Sequence, residues 1–364
     1  MATMVTAIEP TQAPNFHFNY EELMALEVDR PLEIIEGMIC ERQNVLLAGR
    51  FGVGKTMLGV QMSLCLATGR DFVGRKIPRP YRTAIVDCEN DLGDVKNRLA
   101  QQHDGLGLGE IEDALLKDNW NLASAADPDS ALYGMKLDAG DFDPLKKYVN
   151  DHEPEILIID NLGLVVQKGD LKEPHEAKNF YASLNALRKD YESLQTGAII
   201  VMHHLTKPGE SLAVEQTTLL NSPSVFLSRV RGTGRVLDFA QGRFAIAEEK
   251  VREQTYFVVN GVNRSTSPIP LILQFNQDTL LFERHEDANF RFESVFANCP
   301  KRREVYMVLP DEFSWSEAVD IINPKSGKPF TKDTLSKTLT MCKTEGFLTQ
   351  DPDSKRYRKL VRMG

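Results

Sequence analysis

Short apolar runs alternate with segments of helical spacing from residue 44 to residue 209. Four of the runs predict strands, namely NVLLAG (44–49), TAIVDCEN (83–90), EILIID (155–160) and GAIIVMHHLTKPG (197–209). KTMLGVQMSLCLATG and EAKNFYASLNALRKDYESL have the spacing of helices, and Gly69 is suited to end the first of them. Three more strands follow, RFAIAEE, TYFVVNG and PLILQFN. This alternation predicts an α/β fold with a largely parallel central sheet.

Other parts of the chain have a different texture. The first 30 residues predict a loose polar arm with one short helix, and residues 103–145 predict a variable loop. After residue 285 the chain is charged and helical, and then predicts two helices, SWSEAVDIIN and TKDTLSKTLTMCKTEGF, followed by a hairpin with a basic second strand. We therefore expect three parts, which are an arm with a short helix (1–30), the α/β domain (31–285) and a small C-terminal domain (286–364).

Composition excludes several classes of protein. No apolar run approaches the roughly 20 residues of a membrane span, and the N-terminus lacks the pattern of a secretory signal. The five cysteines are scattered and form no CxxC pair, which is typical of reduced thiols in a cytoplasmic protein. The net charge is −9, but residues 300–364 hold 13 Lys and Arg against 9 Asp and Glu, so this tail carries +4 and the remainder −13. A basic tail on an acidic body indicates nucleic-acid contact by the tail. Since no apolar run is long enough to span a membrane, we expect no membrane partner.

The stretch AGRFGVGKT fits the phosphate-loop pattern GxxxxGK[ST] between a predicted strand and a predicted helix. Its glycines let backbone N–H groups surround phosphate oxygens at the helix N-terminus. Lys55 is expected to reach the β- and γ-phosphates of ATP, and Thr56 to place a hydroxyl on Mg²⁺. The alternative is a chance glycine turn, which the order of strand, loop and helix disfavours. The predicted nucleotide contacts are Gly49, Arg50, Phe51, Gly52, Val53, Gly54, Lys55, Thr56 and Met57.

A second acid, Asp160, ends the strand EILIID and is expected to support Mg²⁺ through a bound water, unless it only caps a turn. The next residue is Asn161, so no glutamate stands beside it to serve as a base. Glu89 ends the strand TAIVDCEN, which we expect to lie beside the phosphate-loop strand, where ligands bind at carboxyl ends. Glu89 is therefore the predicted catalytic base, preferred over Asp87, and the alternative is that it caps the following helix.

These segments resemble the RecA-like ATPases and, within them, the RepA-like hexameric helicases of plasmids and phages. The resemblance spans about residues 31–285 and is carried by AGRFGVGKT, ATGRDFVG, AIVDCENDLGDVKNRL, LIIDNLGL and VMHHLTKPG. It implies that Glu89 is the base and that His204 senses the γ-phosphate. His203 is then a packed core histidine, because adjacent strand residues point to opposite faces and make poor joint metal ligands.

The resemblance also implies a ring in which an arginine of one subunit enters the site of the next. Ring-forming members place this arginine in a pattern like Lys-x-Arg-x-Gly, which VVNGVNRSTSP matches through Arg264. Val262 stands at the lysine position, which is a departure from the family. Arg231 and Arg235 are secondary candidates, and the alternative for each arginine is a solvated surface charge.

Two loops and the tail are the candidate DNA contacts. The resemblance places pore loops at about residues 166–176 and 205–228, with Lys168, Lys172 and Lys207, although mobile polar loops without a ligand are the alternative. Residues 300–364 resemble a winged-helix domain, which serves either DNA binding or protein interaction. Its expected phosphate contacts are Lys355, Arg356, Arg358 and Lys359.

The expected function is thus an ATP-hydrolysing DNA helicase or translocase that works as a homo-oligomer, in the resembled family a hexamer, on single-stranded DNA in the cytoplasm of a prokaryote. An ATP-dependent DNA-binding switch that does not unwind DNA is the alternative. A small-molecule kinase is a third interpretation, but it leaves the basic tail unexplained.

Overall fold

A computed structural model describes residues 19–25, 30–140, 142–166, 171–206, 218–220, 222–232, 234–251, 254–266, 268, 270–285, 295–296, 299–322 and 330–360. Its strands are β1 Glu33–Ile35, β2 Ile39–Cys40, β3 Gln43–Gly49, β4 Thr83–Asp87, β5 Trp120–Ser124, β6 Ile156–Asp160, β7 Ala198–His204, β8 Gly242–Val251, β9 Gln254–Asn263, β10 Leu271–Asn276, β11 Leu281–Arg284, β12 Glu312–Phe313, β13 Leu348–Gln350 and β14 Tyr357–Lys359. Its α-helices are α1 Tyr20–Ala25, α2 Lys55–Thr68, α3 Leu92–Leu106, α4 Glu110–Asn119, α5 Asp143–His152, α6 Pro174–Asp190, α7 Glu192–Thr196, α8 Pro223–Leu227, α9 Pro300–Val308, α10 Trp315–Ile322 and α11 Lys332–Thr344.

One sheet of nine strands organises the larger part of the chain, in the order β11-β10-β9-β8-β3-β7-β6-β4-β5. The six strands from β8 to β5 run parallel, whereas β9, β10 and β11 add an antiparallel edge. Strand β3 lies in the middle and is buried along its whole length. The predicted α/β fold with a largely parallel sheet is confirmed.

Helices cover both faces of this sheet, as a parallel sheet requires. Val45 and Leu47 point to the face that packs against Leu58 and Leu64 of α2. Their neighbours along β3, Leu46 and Ala48, point to the other face, where α5 and α6 pack. Because side chains alternate along a strand, a continuous apolar run supplies both cores at once.

The strand order corrects one expectation. Strand β4, which leads to Glu89, does not lie beside the phosphate-loop strand β3, since β7 and β6 separate them. The connection from β3 through α2 leads to β4, which lies three places along the sheet from β3. Strands β7 and β6, which come later in the chain, occupy the two places between them. As a result Asp87 and Asp160 pair in register at the ends of adjacent strands.

The expected loop over residues 103–145 is also wrong. The segment contains the end of α3, the whole of α4 and the edge strand β5, which pairs in parallel with β4 from Trp120 to Ser124. The indole Nε1–H of Trp120 donates a hydrogen bond of 2.9 Å to Ser63 Oγ on α2. Helix α4 buries none of its residues and β5 is only half-buried, so neither has the apolar pattern that sequence reasoning requires.

The buried side chains of the C-terminal part belong to the same apolar cluster as the sheet face that α5 and α6 cover. Helices α9, α10 and α11 accompany a three-stranded antiparallel sheet in the order β12-β14-β13. Leu335, Leu339 and Cys342 of α11 are buried, as their helical spacing predicts. In the charged segment expected to be helical, residues 295–296 and α9 are helical, and residues 286–294 and 297–298 lie outside the described residues.

Within the described ranges, no helix combines the length and the apolarity that crossing a bilayer demands.

Candidate nucleotide site

The phosphate loop turns sharply between β3 and α2. Gly52 and Gly54 adopt φ angles of 77° and 89°, which L-residues with a side chain rarely adopt. A Cβ atom on Gly54 would also lie 2.7 Å from Cζ of Phe282, which is a severe overlap. The loop therefore needs glycine at position 54 for both its backbone angle and its neighbour. Of the other predicted contacts, Val53 is buried, whereas Arg50 and Phe51 are exposed.

Lys55 begins α2 and turns its ammonium group back into the loop. Its Nζ donates hydrogen bonds to the carbonyl oxygens of Gly49 at 3.2 Å and Arg50 at 2.9 Å, and lies 3.3 Å from Nδ1 of His204. Burial lowers the pKa of Lys55, while the charges of Asp160 and Glu89 raise it. The two carbonyls are neutral acceptors, so the positive charge remains available for a phosphate oxygen.

Thr56 and Asp160 meet beside this lysine. The Thr56 hydroxyl donates a 2.6 Å hydrogen bond to Oδ2 of Asp160. Asp160 ends strand β6 and is only 3% exposed. Burial, together with the negative charges of Asp87 and Glu89, raises the pKa of Asp160 to about 6 against the opposing effects of Thr56 and Lys55. A hydroxyl and a buried carboxylate in an excess of negative charge fit Mg²⁺, a cation that prefers oxygen ligands.

Glu89 lies just past β4 and points into the same space. The Asn161 side chain donates a 2.6 Å hydrogen bond from Nδ2 to Oε2 of Glu89. Oδ1 of Asp87 instead accepts the backbone N–H groups of Glu89 and Asn90, both at 2.9 Å. Asp87 is thus occupied in shaping the turn, whereas Glu89 is exposed to the cavity. Asn161, which follows Asp160, cannot act as a base. Its side chain instead holds Glu89, which fits this role.

Arg98 is a site residue that sequence reasoning missed. It lies on α3, lines the same cavity and donates a 2.7 Å hydrogen bond from Nη1 to Oδ1 of Asn90. Asn90 in turn donates from Nδ2 to Asp87 Oδ2 at 2.9 Å. Its distance from Asp91, the N-cap of α3, could have indicated a position two helical turns from the site. A lone arginine in a polar helix usually faces solvent, however, so the sequence offered no reason to select it.

An open cavity of about 410 Å³ joins these groups. One wall is polar and holds the phosphate loop, Glu89, Asp160 and His204. A second wall is apolar and comes from the antiparallel edge of the sheet, with Phe257, Phe275, Leu280 and Phe282. A cavity with one phosphate-binding wall and one aromatic wall suits a nucleotide, whose base is flat and apolar.

Two glutamines attach the aromatic wall to the helices. Gln61 of α2 donates from Nε2 to the carbonyl of Phe282 at 2.9 Å and accepts that residue's N–H at 2.8 Å. Gln102 of α3 donates from Nε2 to the carbonyl of Leu280 at 2.6 Å. These contacts join residues about 180 to 220 positions apart in the chain. No local pattern could have predicted the wall.

The two histidines of β7 point in opposite directions. His203 is fully buried, and its Nε2–H donates to the Arg231 carbonyl at 2.8 Å. Burial lowers the pKa of His203 to about 4. His204 faces the cavity and Lys55, and both burial and the charge of Lys55 lower its pKa. His203 therefore has a core position, and His204 is placed to contact a phosphate.

His203 gives a stability prediction. Its pKa is about 6.5 in an unfolded chain and about 4 in the fold. Because the folded-state pKa is depressed, the stability contributed by the neutral ring is complete above pH ~6.5 and is lost as the pH falls towards 4. Relative to His203→Gln, which cannot gain a proton, the native chain is expected to lose about 3 kcal/mol over this interval. Urea unfolding of both proteins from pH 7 to pH 4 measures the difference, and parallel curves would contradict the prediction.

Arg264 lies at the other end of the sheet. Strand β9 runs antiparallel to β8 and β3, so Asn263 pairs with Gly242 near the start of β3, whereas Gly49 pairs with Ile246. The backbone N–H of Arg264 donates to the Gln241 carbonyl at 3.1 Å. Five residues of strand separate Ile246 from Gln241, which is about 16 Å. Arg264 therefore does not reach the phosphate loop of its own chain.

The secondary arginine candidates occupy different places. Arg231 is exposed beside the cavity end of β7, and its backbone N–H donates to the His204 carbonyl at 3.0 Å. Arg235 is exposed in the 3₁₀ turn Gly234–Leu237, and its carbonyl accepts the hydroxyl of Tyr181.

The candidate DNA contacts have different surroundings. Lys168 and Lys207 lie outside the described residues, and Lys172 is exposed. Lys355 is exposed at the tip of the β13–β14 hairpin, while Arg356 and Arg358 form exposed ion pairs with Glu317 at 3.2 Å and Glu312 at 2.7 Å. Exposed pairs of this kind exchange readily for a phosphate, because each contributes little stability.

Lys359 contacts the end of α9 in the C-terminal part of the chain. Its Nζ donates to the Leu309 carbonyl at 2.6 Å and lies 4.6 Å from the centre of the Tyr306 ring. Partial burial lowers its pKa. Lys359 thus joins β14 to the end of α9, and its contact with phosphate stays a prediction.

No curated protein matches the chain. Among solved structures, the chain is similar to one described as an ATPase domain, with 14% identity, a TM-score of 0.48 and coverage of 73% of this chain and 96% of that one. It is also similar to the KaiC-like protein PH0186 of Pyrococcus horikoshii OT3, with 14% identity, a TM-score of 0.45 and coverage of 70% and 99%.

A family match covers the part of the chain that builds the phosphate loop, the second acid and His204. The profile described as "AAA domain" matches residues 11–210, which is more than half of the chain. The expected membership of an ATPase family is thereby confirmed, and the chain belongs to the AAA domain family of ATPases.

Proposed function

We propose that this protein is an ATP-driven DNA helicase or translocase with a RecA-like core that works as a ring of identical copies. One observation carries the proposal. Lys55, Thr56, Asp160, Glu89 and His204 line one cavity, while Arg264 lies at the opposite end of the same sheet. A hydrolytic site at one end of the sheet and an exposed arginine at the other end suit a chain whose neighbour supplies that arginine to the site.

The residues have separable roles in this proposal. Lys55 and the loop N–H groups bind the β- and γ-phosphates, and the neutral His204 contacts the terminal phosphate from β7. Thr56 and Asp160 would hold Mg²⁺, which neutralises phosphate charge when it is bound. Glu89 takes a proton from the attacking water, and the hydrogen bond from Asn161 fixes its orientation.

The ring is supported by two features at the surface. Arg264 is exposed and lies about 16 Å of strand away from its own phosphate loop, so a phosphate that it contacts belongs to another copy. Helix α1 leaves Leu23 and Met24 exposed, which suits packing on a neighbour. A head-to-tail contact of this kind closes into a ring when its rotation allows, and we propose a hexamer.

We further propose that residues 286–364 form a winged-helix domain that contacts DNA. The order of helix, strand, two helices and a hairpin supports this assignment, with α11 as the recognition helix. Lys332, Ser336 and Thr340 are exposed along one side of α11, and Lys355, Arg356 and Arg358 follow in the hairpin. Lys168, Lys172 and Lys207 remain candidates for single-strand contacts.

The proposal is tested by Lys55→Ala. ATP hydrolysis by the native chain is expected to increase with single-stranded DNA, and the variant is expected to lose at least about 10²-fold of it, because Lys55 contacts the transferred phosphoryl group. Displacement of a strand from a forked duplex should disappear with it. Lys96→Ala, which changes an exposed lysine on α3, is the matched control and should retain both activities.

A DNA-binding switch is the second candidate, and the C-terminal domain favours it, since recognition helices also bind specific duplex sites. Hydrolysis that depends on Lys55 together with site-specific duplex binding, but without strand displacement, would support the switch and contradict the helicase. Hydrolysis that ignores DNA altogether would contradict both.

A further inference from the structure

A second arginine lies beside Arg264. Strands β8 and β9 pair so that Arg243 stands directly opposite Val262. Directly opposed residues of an antiparallel pair share a face, with Cβ atoms about 5 Å apart. Arg264 follows Val262 by two positions, at the point where β9 ends. The sheet therefore brings a cation from the neighbouring strand next to Arg264.

The positive charge of Arg264 acts on Arg243. Burial lowers the pKa of Arg243, and the positive charge of Arg264 lowers it further, while the negative charge of Asp238 acts in the opposite direction. Neither arginine forms an ion pair within 4.0 Å with any residue that the structure describes. Two adjacent positive charges without an acid at ion-pair distance are unfavourable in the isolated chain and become favourable when an anion binds them.

The hydrogen bonds of Arg243 leave most of its donors available. Its Nε–H donates to the Ala240 carbonyl at 3.1 Å, which orients the side chain. In the described part of the chain, its two terminal NH₂ groups make no further hydrogen bond. A guanidinium held by Nε presents those NH₂ groups as a fork, the geometry that suits phosphate oxygens.

We infer that Arg243 and Arg264 form one phosphate-binding pair, and that Arg243 is a second catalytic arginine that contacts the terminal phosphate of ATP bound by the adjacent copy. This inference rests on the proposed ring. Val262 is apolar at the position where the resembled pattern carries a lysine, and Arg243 supplies a positive charge at the same place from the opposite strand. Charge that develops on the transferred phosphoryl group is then neutralised by two cations.

The test uses rescue across the strand pair. Arg243→Gln is expected to lower kcat for ATP hydrolysis about 10²-fold, with little change in KM for ATP. Adding Val262→Lys returns a cation to the opposite position and is expected to recover about 10-fold of that loss. Arg82→Ala is the control, because Arg82 is an exposed arginine at the same end of the sheet, beside β4. Thermal unfolding of each variant verifies its fold.

Mixed assemblies separate a contact across subunits from a structural role. In an equal mixture of Arg243→Gln and Lys55→Ala chains, half of the sites belong to Arg243→Gln chains and keep Lys55. Half of these sites have a Lys55→Ala neighbour, which keeps Arg243. Activity should therefore return to about a quarter of the native value if the pair acts in a head-to-tail ring.

Three results would overturn the inference. If Arg243→Gln hydrolyses ATP with the native kcat, Arg243 has no role in catalysis. If kcat falls and neither Val262→Lys nor mixing restores it, Arg243 only supports the structure of its own chain. In both cases a Lys55-dependent ATPase would leave the proposed function intact. If Lys55→Ala hydrolyses ATP at the native rate, the proposed function itself fails, and the arginine pair fails with it.

Discussion

Glu89→Gln is expected to lower kcat for ATP hydrolysis by about 10²- to 10⁴-fold while ATP still binds. The change removes the ability to accept a proton but keeps the size of the side chain and a group that can meet Asn161. Phosphate binding depends on Lys55 and the glycine loop, which the substitution does not touch. Single-turnover hydrolysis and equilibrium binding of ATP measure the two effects separately.

Asp94→Asn is the matched control for this variant. Asp94 is an exposed carboxylate in the first turn of α3, close to Glu89 in the chain but absent from the cavity lining. Its removal should leave kcat unchanged. Hydrolysis at the native rate by Glu89→Gln would exclude Glu89 as the base and with it the mechanism proposed above.

The position of Glu89 was predictable from the sequence only in part. We expected its strand to lie beside the phosphate-loop strand, and that adjacency is wrong because β7 and β6 lie between them. The residue still points into the cavity, because every parallel strand of the sheet ends at the same edge. Local patterns predict which end of a strand matters, whereas strand order depends on pairings between distant parts of the chain.

The phosphate loop was predictable because its determinants are local. Gly52, Gly54 and Lys55 lie within a few residues, and their spacing alone specifies the turn. The aromatic wall was not predictable, since Gln61 and Phe282 meet only when the complete sheet has formed. The surroundings of Lys359 were not predictable for a similar reason, because its carbonyl partner and its aromatic neighbour come from helix α9 and the residue after it.

Arg264→Ala is expected to lower kcat by about 10³-fold or more, since an arginine supplied to a phosphoryl-transfer site in trans has effects of this size. The loss should appear in an assembled protein that still binds ATP, because Arg264 lies far from the phosphate loop of its own chain. Steady-state hydrolysis, with solution mass measured in parallel, shows whether the activity is lost without loss of assembly.

Mixing gives the decisive contrast between Arg264 and Glu89. Chains with Arg264→Ala and chains with Lys55→Ala complement each other in a ring, so equal amounts should recover about a quarter of the native activity. Glu89→Gln and Lys55→Ala affect the same cavity, so every site in that mixture lacks one of the two groups and no activity should return. Recovery in the second mixture would mean that the cavity is shared between chains, and failure in the first would confine Arg264 to a role within its own subunit.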